Sequence, residues 1–363
     1  MRQIGRETVV VPPLAGRAGC IRLTVSESPM ACLPNPVRLL SRRALMACLA
    51  VVLWAPAASA GWNLVKIGGR DFVPGSDIKQ FYGFQKYVVD GNRVTFLMPG
   101  FWMQARIGSS EMLIKGVKFV LSFPVAQQGD EAYFSRTDLV KLLDPVLRPD
   151  FIKGAPDFNT VVLDAGHGGH DSGAVGPSGR EKDFTLQTVL RAAALLRSHG
   201  YKVVLTRSDD TFVTLQGRVA IANKTPNAIF VSVHFNESGN TVARGIETYA
   251  LSPAGTYSTI DRWPERNLAQ RTGNRMDAEN IALATAVHNA VFRRIAITKP
   301  TDRGIKRARF SVISGITIPG LLFEGGFVAN PFESKLLAHP TYQQMLAEGI
   351  VRGVENYHRA IKD

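Results

Sequence analysis

Two histidines and two glutamates stand where this chain could carry out a metal-assisted hydrolysis. His167 lies in the glycine-rich stretch DAGHGGHDSGAVG, where Gly166, Gly168, Gly169 and Gly173 remove side-chain bulk and let the backbone turn sharply. Glu181 follows in GREKD at the start of an expected helix, and His234 comes near the end of AIFVSVHFN, after an apolar run. Two neutral imidazole nitrogens and one carboxylate oxygen make a catalytic zinc set, because three protein ligands leave the fourth tetrahedral position for water. A proton acceptor is then required. Glu324, after Leu321-Leu322-Phe323 and before Gly325-Gly326, is the candidate, since a carboxylate partly desolvated at a strand mouth has a raised pKa and shuttles protons well.

The elements that must position these residues follow from the hydrophobic pattern. Strand-like runs at 160–163, 202–206, 228–233, 245–251, 310–313 and 320–323 alternate with helical ones at 184–198, 215–223, 278–294 and 342–361. Such alternation predicts an α/β sheet with helices on its faces, and open α/β sheets place ligand sites at strand ends. Residues 252–277, with Trp263-Pro264 and Gly273, read as a long insertion and a candidate lid. From 61 to 150 the texture differs. Short β-rich runs at 87–89, 94–97 and 119–122 are punctuated by turn formers such as Asp90-Gly91-Asn92, which predicts a small β-rich module. The stretches 67–83 and 117–142 echo each other loosely and resemble the two-part pattern of copper-amine-oxidase N-terminal-like modules of bacterial envelope proteins. The module has no histidine, so it is expected to be noncatalytic. The proline-bearing stretch 147–157 marks the expected boundary with a catalytic domain at 157–361.

Residues 1–60 read as a leader. The apolar run ALMACLAVVLWA follows Arg38, Arg42 and Arg43 and precedes Ala57-Ala58-Ser59-Ala60, the three-part layout of a signal peptide cleaved after Ala60. SRRALM resembles a twin-arginine signal, with an ordinary Sec signal as the alternative. A permanent membrane anchor is not expected, because twelve apolar residues fall short of the ~20 a spanning helix needs. Residues 1–29 add nothing to an export signal, which makes Met30 the expected start. The full chain of 363 residues carries a formal net charge of +13, and removing the leader leaves +8 on 303 residues. Cys20, Cys32 and Cys48 all leave with it, so neither thiol nor disulfide chemistry is expected of the mature form. Hydrophobic residues at 45% and charged residues at 20% exclude an intrinsically disordered chain.

Taken in order, DAGHGGHDSGAVG, GREKD, LTRSDD, SVHFN and EGGFVAN resemble the motifs of the zinc-dependent N-acetylmuramoyl-L-alanine amidases of the amidase-3 type, which are cell-wall hydrolases. The resemblance covers about residues 159–358. It implies a mixed sheet of about six strands flanked by helices, zinc ligands at His167, Glu181 and His234, and a catalytic glutamate at Glu324. The implied reaction cuts the amide between N-acetylmuramic acid and L-alanine in peptidoglycan. A zinc peptidase acting within the stem peptide would use the same ligand set, and product masses separate the two. A noncatalytic wall-binding protein would have no need of Glu324. The implied setting is the periplasm or cell envelope, with an envelope partner or the wall itself as the target of the N-terminal module. Where family members often carry Thr-Gly and Ala, this chain has Gly325-Gly326 and Glu237.

Other residues carry plainer readings. His170 could approach the same metal as His167, but the family pattern uses the first histidine alone. His199 is expected to cap a helix C-terminus, and His288, His339 and His358 to be structural. Asp164, ending a strand, reads as structural. Arg303, Lys306, Arg307 and Arg309 form a basic cluster expected on a solvated face, though stem-peptide carboxylates could meet it. No Gly-Lys-Ser/Thr ending or GxGxxG run follows the glycine-rich loop, so nucleotide binding is excluded. No nucleic-acid motif accompanies the basic residues.

Overall fold

Short turn-punctuated runs become the N-terminal strands. The structure, a computed structural model, describes residues 62–260 and 268–362; the leader, its cleavage site and Trp263-Pro264 lie outside the described residues. A hairpin of β1 (Val65–Ile67) and β2 (Arg70–Pro74) leads to α1 (Gly75–Tyr82). An antiparallel meander follows: β3 (Lys86–Asp90), β4 (Arg93–Met98), β5 (Phe101–Arg106), β6 (Glu111–Ile114) and β7 (Val117–Val120). β8 (Ala126–Gln128) and β9 (Glu131–Ser135) pair with the first hairpin in a four-stranded sheet ordered β1-β2-β9-β8. The short helices α2 (Arg136–Asp138) and α3 (Asp144–Leu147) bring the chain to the proline-bearing stretch.

The second half is the expected strand-helix alternation. It comprises β10 (Thr160–Ala165), the small hairpin β11 (Val175–Gly176) and β12 (Gly179–Arg180), α4 (Glu181–Ser198), β13 (Lys202–Leu205), α5 (Leu215–Lys224), β14 (Ala228–Asn236) and β15 (Ile246–Leu251). α6 (Asp277–Arg294), β16 (Asp302–Ala308), α7 (Ser311–Ser314), β17 (Gly320–Phe327), α8 (Pro331–Leu337) and α9 (Pro340–Lys362) complete it. Six of these strands lie in the order β13-β10-β14-β17-β15-β16, a mixed sheet in which β15 is antiparallel to β17 and the neighbours from β13 to β17 are parallel. β10 is buried along its whole length, as its β-branched, apolar run requires of a strand covered on both faces. One face packs Val161, Leu163, Val231 and Phe323 with α4, α6 and α9, and the other gathers Val162, Phe230, Leu322 and Tyr249 with α5 and α7.

The two halves share this sheet. β7 pairs in parallel with β16, Phe119 opposite Ile305, so the meander extends the six strands to eleven. One hydrophobic core runs from Val73 and Phe96 to Val161 and Ile361. The Lys118 N–H donates to Asp302 Oδ2 at 3.0 Å, and Lys141 Nζ stands 3.1 Å from Asp277 Oδ2.

Two local expectations are corrected. Residues 310–313 do not form a strand; α7 stands there, a short apolar run being ambiguous between the two states. The strand in that region is β16, and it contains most of the basic cluster that was expected on a solvated face. Arg307 is 1% exposed and donates to the carbonyls of Leu251 and Lys141, while Arg303 and Lys306 bond the buried carboxylate of Glu247. Arg307 is therefore interior, its charge satisfied by carbonyls instead of water, while Arg303 and Lys306 stay partly exposed beside Glu247.

Candidate metal centre

β10 ends at Ala165, and the chain turns through Gly166 into His167, whose backbone is left-handed at φ 61°. Few side chains accept that conformation, so it has to be held from outside. Arg218, nearly buried on α5, donates to the carbonyls of Ala165 and His167 and to Asp164 Oδ1. Arg207 donates to the carbonyls of Ala165, Gly166 and Lys182. Asp164 is fully buried and also accepts from Thr206 and Ser232, so its structural reading stands. Two glycines clear the space. A Cβ at Gly166 would lie 2.3 Å from the His234 ring, and one at Gly173 would meet Glu181 and His167 at 2.5 and 2.6 Å.

The β11/β12 hairpin returns the chain so that Glu181 opens α4 beside this loop. Its Oε1 stands 3.0 Å from both His167 Nε2 and His234 Nδ1 and accepts from the Phe235 N–H, while Oε2 accepts from the Ala174 N–H. Burial alone would raise its pKa, but the two imidazoles outweigh it and hold the carboxyl well below its usual range. Burial likewise opposes charge on His167, yet Glu181 and Asp171 raise its pKa. One ligand atom from each of His167, Glu181 and His234 lies within 4.8 Å of the others. Two imidazole nitrogens and a buried carboxylate converging at strand ends fit the donor set of a catalytic zinc site.

Glu324 comes to the same place through strand register. It pairs with His234 across the parallel strands β14 and β17, and with Glu247 across the antiparallel strands β17 and β15. Paired positions share a sheet face, so His234, Glu324 and Glu247 form one row. Glu324 Oε2 is shut off from solvent and has no hydrogen-bond partner. Burial, with Glu181 and Glu247 nearby, pushes the carboxyl well above its usual pKa against the pull of Lys306. Burial would do the same to Glu247, but Lys306, the Tyr249 hydroxyl and Arg303 outweigh it and hold its carboxyl below the usual range.

All four residues named from the sequence thus lie on the sheet's C-terminal edge. His170 is not among them, its ring instead packing 4.2 Å from that of Phe212. His199 occupies the C-cap of α4 as expected, and also bonds Glu355 at 2.7 Å. His288 is wholly buried between Thr248 and Asp302, and His358 bonds Tyr201 and Asp157. The support from Arg207, Arg218 and Glu247 was not read from the sequence. Arg207 lies in the LTRSDD motif, a signal that could have found it, but nothing singles out Arg218 inside LQGRVAIANK.

The arrangement is a candidate metal centre on a mixed α/β scaffold. The chain belongs to the N-acetylmuramoyl-L-alanine amidase family, whose profile matches residues 161–356, and with that family it is a hydrolase. It is similar to the N-acetylmuramoyl-L-alanine amidase AmiA of Escherichia coli (strain K12), 31% identical over 217 residues that cover 54% of this chain and 75% of the relative. It is also similar to the uncharacterized protein YqiI of Bacillus subtilis (strain 168), 36% identical over 199 residues covering 55% and 84%. Among solved structures, the N-acetylmuramoyl-L-alanine amidase AmiC2 of Nostoc punctiforme is 35% identical, with 55% of this chain and 97% of that chain covered and a TM-score of 0.46.

Proposed function

We propose that this chain is a zinc-dependent amidase that cuts the bond between N-acetylmuramic acid and the L-alanine of the peptidoglycan stem peptide. The observation that carries this reading is the convergence of His167, Glu181 and His234, with Glu324 in register beside His234. A zinc ion held by the three ligands would supply Lewis acidity to the amide carbonyl and to a water molecule. Glu324 would accept a proton from the water that adds to the lactyl carbonyl carbon and return it to the L-alanine nitrogen, so that the C–N bond breaks, the stem peptide leaves as a free amine and the lactyl group is left as a carboxylate. The enclosed Oε2 suits the task, because it has no hydrogen-bond partner to give up and burial raises the carboxyl's pKa, which strengthens it as a proton acceptor.

In this reading residues 157–361 are the catalytic domain and 61–150 an accessory module, with an envelope partner or the wall as its target. Export through a Sec or twin-arginine signal to the periplasm or cell envelope fits the leader and a wall substrate. Among the described residues no helix is long and apolar enough to cross a membrane. The test is digestion of purified peptidoglycan, with products weighed with and without a chelator. Chelator-sensitive release of intact stem peptides beginning with L-alanine is expected, together with loss of stoichiometric zinc in His167→Ala. Products cut within the stem peptide, or full zinc retention in that variant, would overturn it.

A further inference from the structure

Register carries the row at the metal centre outward. From His234, Glu324 and Glu247 it passes to Gly304 on β16, which pairs with Glu247. Ile305 is opposite Phe119, which puts Lys118 of β7 beside Gly304 on the same face. Gly304 is where Lys118 needs room, because a Cβ there would meet the Lys118 side chain at 3.0 Å. A groove of about 460 Å³ lies over this seam, lined by Lys118, Ser122, Thr259, Arg303 and Lys306 among others. That volume lies within the ~300–1,000 Å³ of ordinary ligand sites.

One cation at the groove keeps donors free for an anion. Arg303 spends Nε on Glu247 at 2.8 Å and stacks 4.8 Å over Phe327. Its two terminal nitrogens bond nothing among the described residues, and its side chain is 34% exposed. Lys306 Nζ stands 2.6 Å from the same Glu247 oxygen, and Lys118 Nζ 3.0 Å from the exposed Glu111. Three cations are therefore matched by three carboxylates, Glu247, Glu111 and Asp302, and the donors left over are the two terminal nitrogens of Arg303. Asp302 also borders the groove, but its oxygens are held by His288 and by the Lys118 and Gly304 N–H groups.

Distance fits the substrate. Strands lie ~4.8 Å apart, so β16 is about 10 Å and β7 about 14 Å from Glu324. A peptide extended across the strands advances ~3.4 Å per residue. It would bring a carboxylate within reach of Arg303 and Lys306 two to three residues from the scissile amide, and of Lys118 about four residues away.

Resting on the amidase reading, we propose that the groove between β7 and β16 is the stem-peptide subsite, with Arg303 and Lys306 binding a free carboxylate and Lys118 a more distal one. The N-terminal module then reads substrate directly, beyond any role in tethering. The free fork of Arg303 offers two parallel N–H donors, the geometry that carboxylates prefer. Stem peptides carry such carboxylates, and amidation removes the charge without changing the shape.

The full-length protein is assayed on two muramoyl peptides that differ only in whether the carboxylate of the second stem residue is free or amidated. Wild type is expected to prefer the free form by about tenfold in kcat/KM, mostly through KM. Arg303→Met should bring that ratio close to one. Lys118→Met, on the partly exposed meander edge, should weaken binding of longer stems bearing a distal carboxylate and leave the shortest substrates less affected. Equal use of both forms by wild type, or a preference that survives Arg303→Met, overturns the subsite. If neither substrate is cut, the amidase reading itself fails, which is a different result.

Discussion

At the scale of single residues, the site depends on one carboxylate being enclosed and another being tied. Glu181 and Glu324 have the same side chain, yet their surroundings drive them in opposite directions. Glu181 has two imidazoles and two backbone N–H donors to stabilise its charge, whereas Glu324 Oε2 has no partner. Glu324→Gln replaces the carboxylate with an amide of the same shape, so the variant should fold, keep its metal and lose about 10²–10⁴ in kcat, the usual worth of a general base. Stopped assays on muropeptides and elemental analysis of the same sample check both halves, and turnover near wild type would move the base elsewhere. His167 was legible in the sequence because glycines flank it, and Gly166 and Gly173 are needed for the close approach of His234, Glu181 and His167; Glu181, His234 and Glu324 were legible through the motifs GREKD, SVHFN and EGGFVAN. Nothing comparable marks Glu247. Its importance comes from strand register, which no local pattern reveals.

At the scale of elements, the α/β alternation was readable and one strand was not. β14 and β17 are long apolar runs, but β16 is DRGIKRA, in which Ile305 and Ala308 alone look like core. Arg307 is buried there, and burial pulls its pKa down to about 10, partly offset by Asp277 and Asp138. A hydrophobic pattern misses a strand whose interior positions are filled by satisfied cations. A similar device holds the His167 loop, where α5 sends Arg218 into Asp164 at 2.6 Å, both nearly inaccessible. Breaking one partner of such a pair leaves an uncompensated buried charge. Arg218→Met should therefore destabilise the fold by about 3–5 kcal/mol. Urea unfolding followed by circular dichroism measures it, and a loss below ~1 kcal/mol would mean that the loop is held by Arg207 and the glycine turn instead.

At the scale of the whole molecule, the proline-bearing stretch at 147–157 looks like a linker in sequence because it lacks periodicity, and sequence cannot say that the strands on either side pair with each other. β16 is an interior strand only because β7 covers its outer edge. A chain beginning at Pro156 would expose that edge as a ready template for pairing with another molecule. It would also remove the Lys118 N–H from Asp302, the Lys141 carbonyl from Arg307 and the Lys141 ammonium from Asp277. Of these, Arg307 matters most, since a wholly buried guanidinium that loses an acceptor pays a desolvation cost of about 1–3 kcal/mol or more. The shortened chain should consequently aggregate, or unfold at markedly lower temperature and with less cooperativity than the full protein, which should melt in a single transition. Light scattering and calorimetry on the two forms decide the matter. A shortened chain that stays monomeric and melts as sharply as the full protein would mean that 157–361 stands alone and that the shared sheet adds little to its stability.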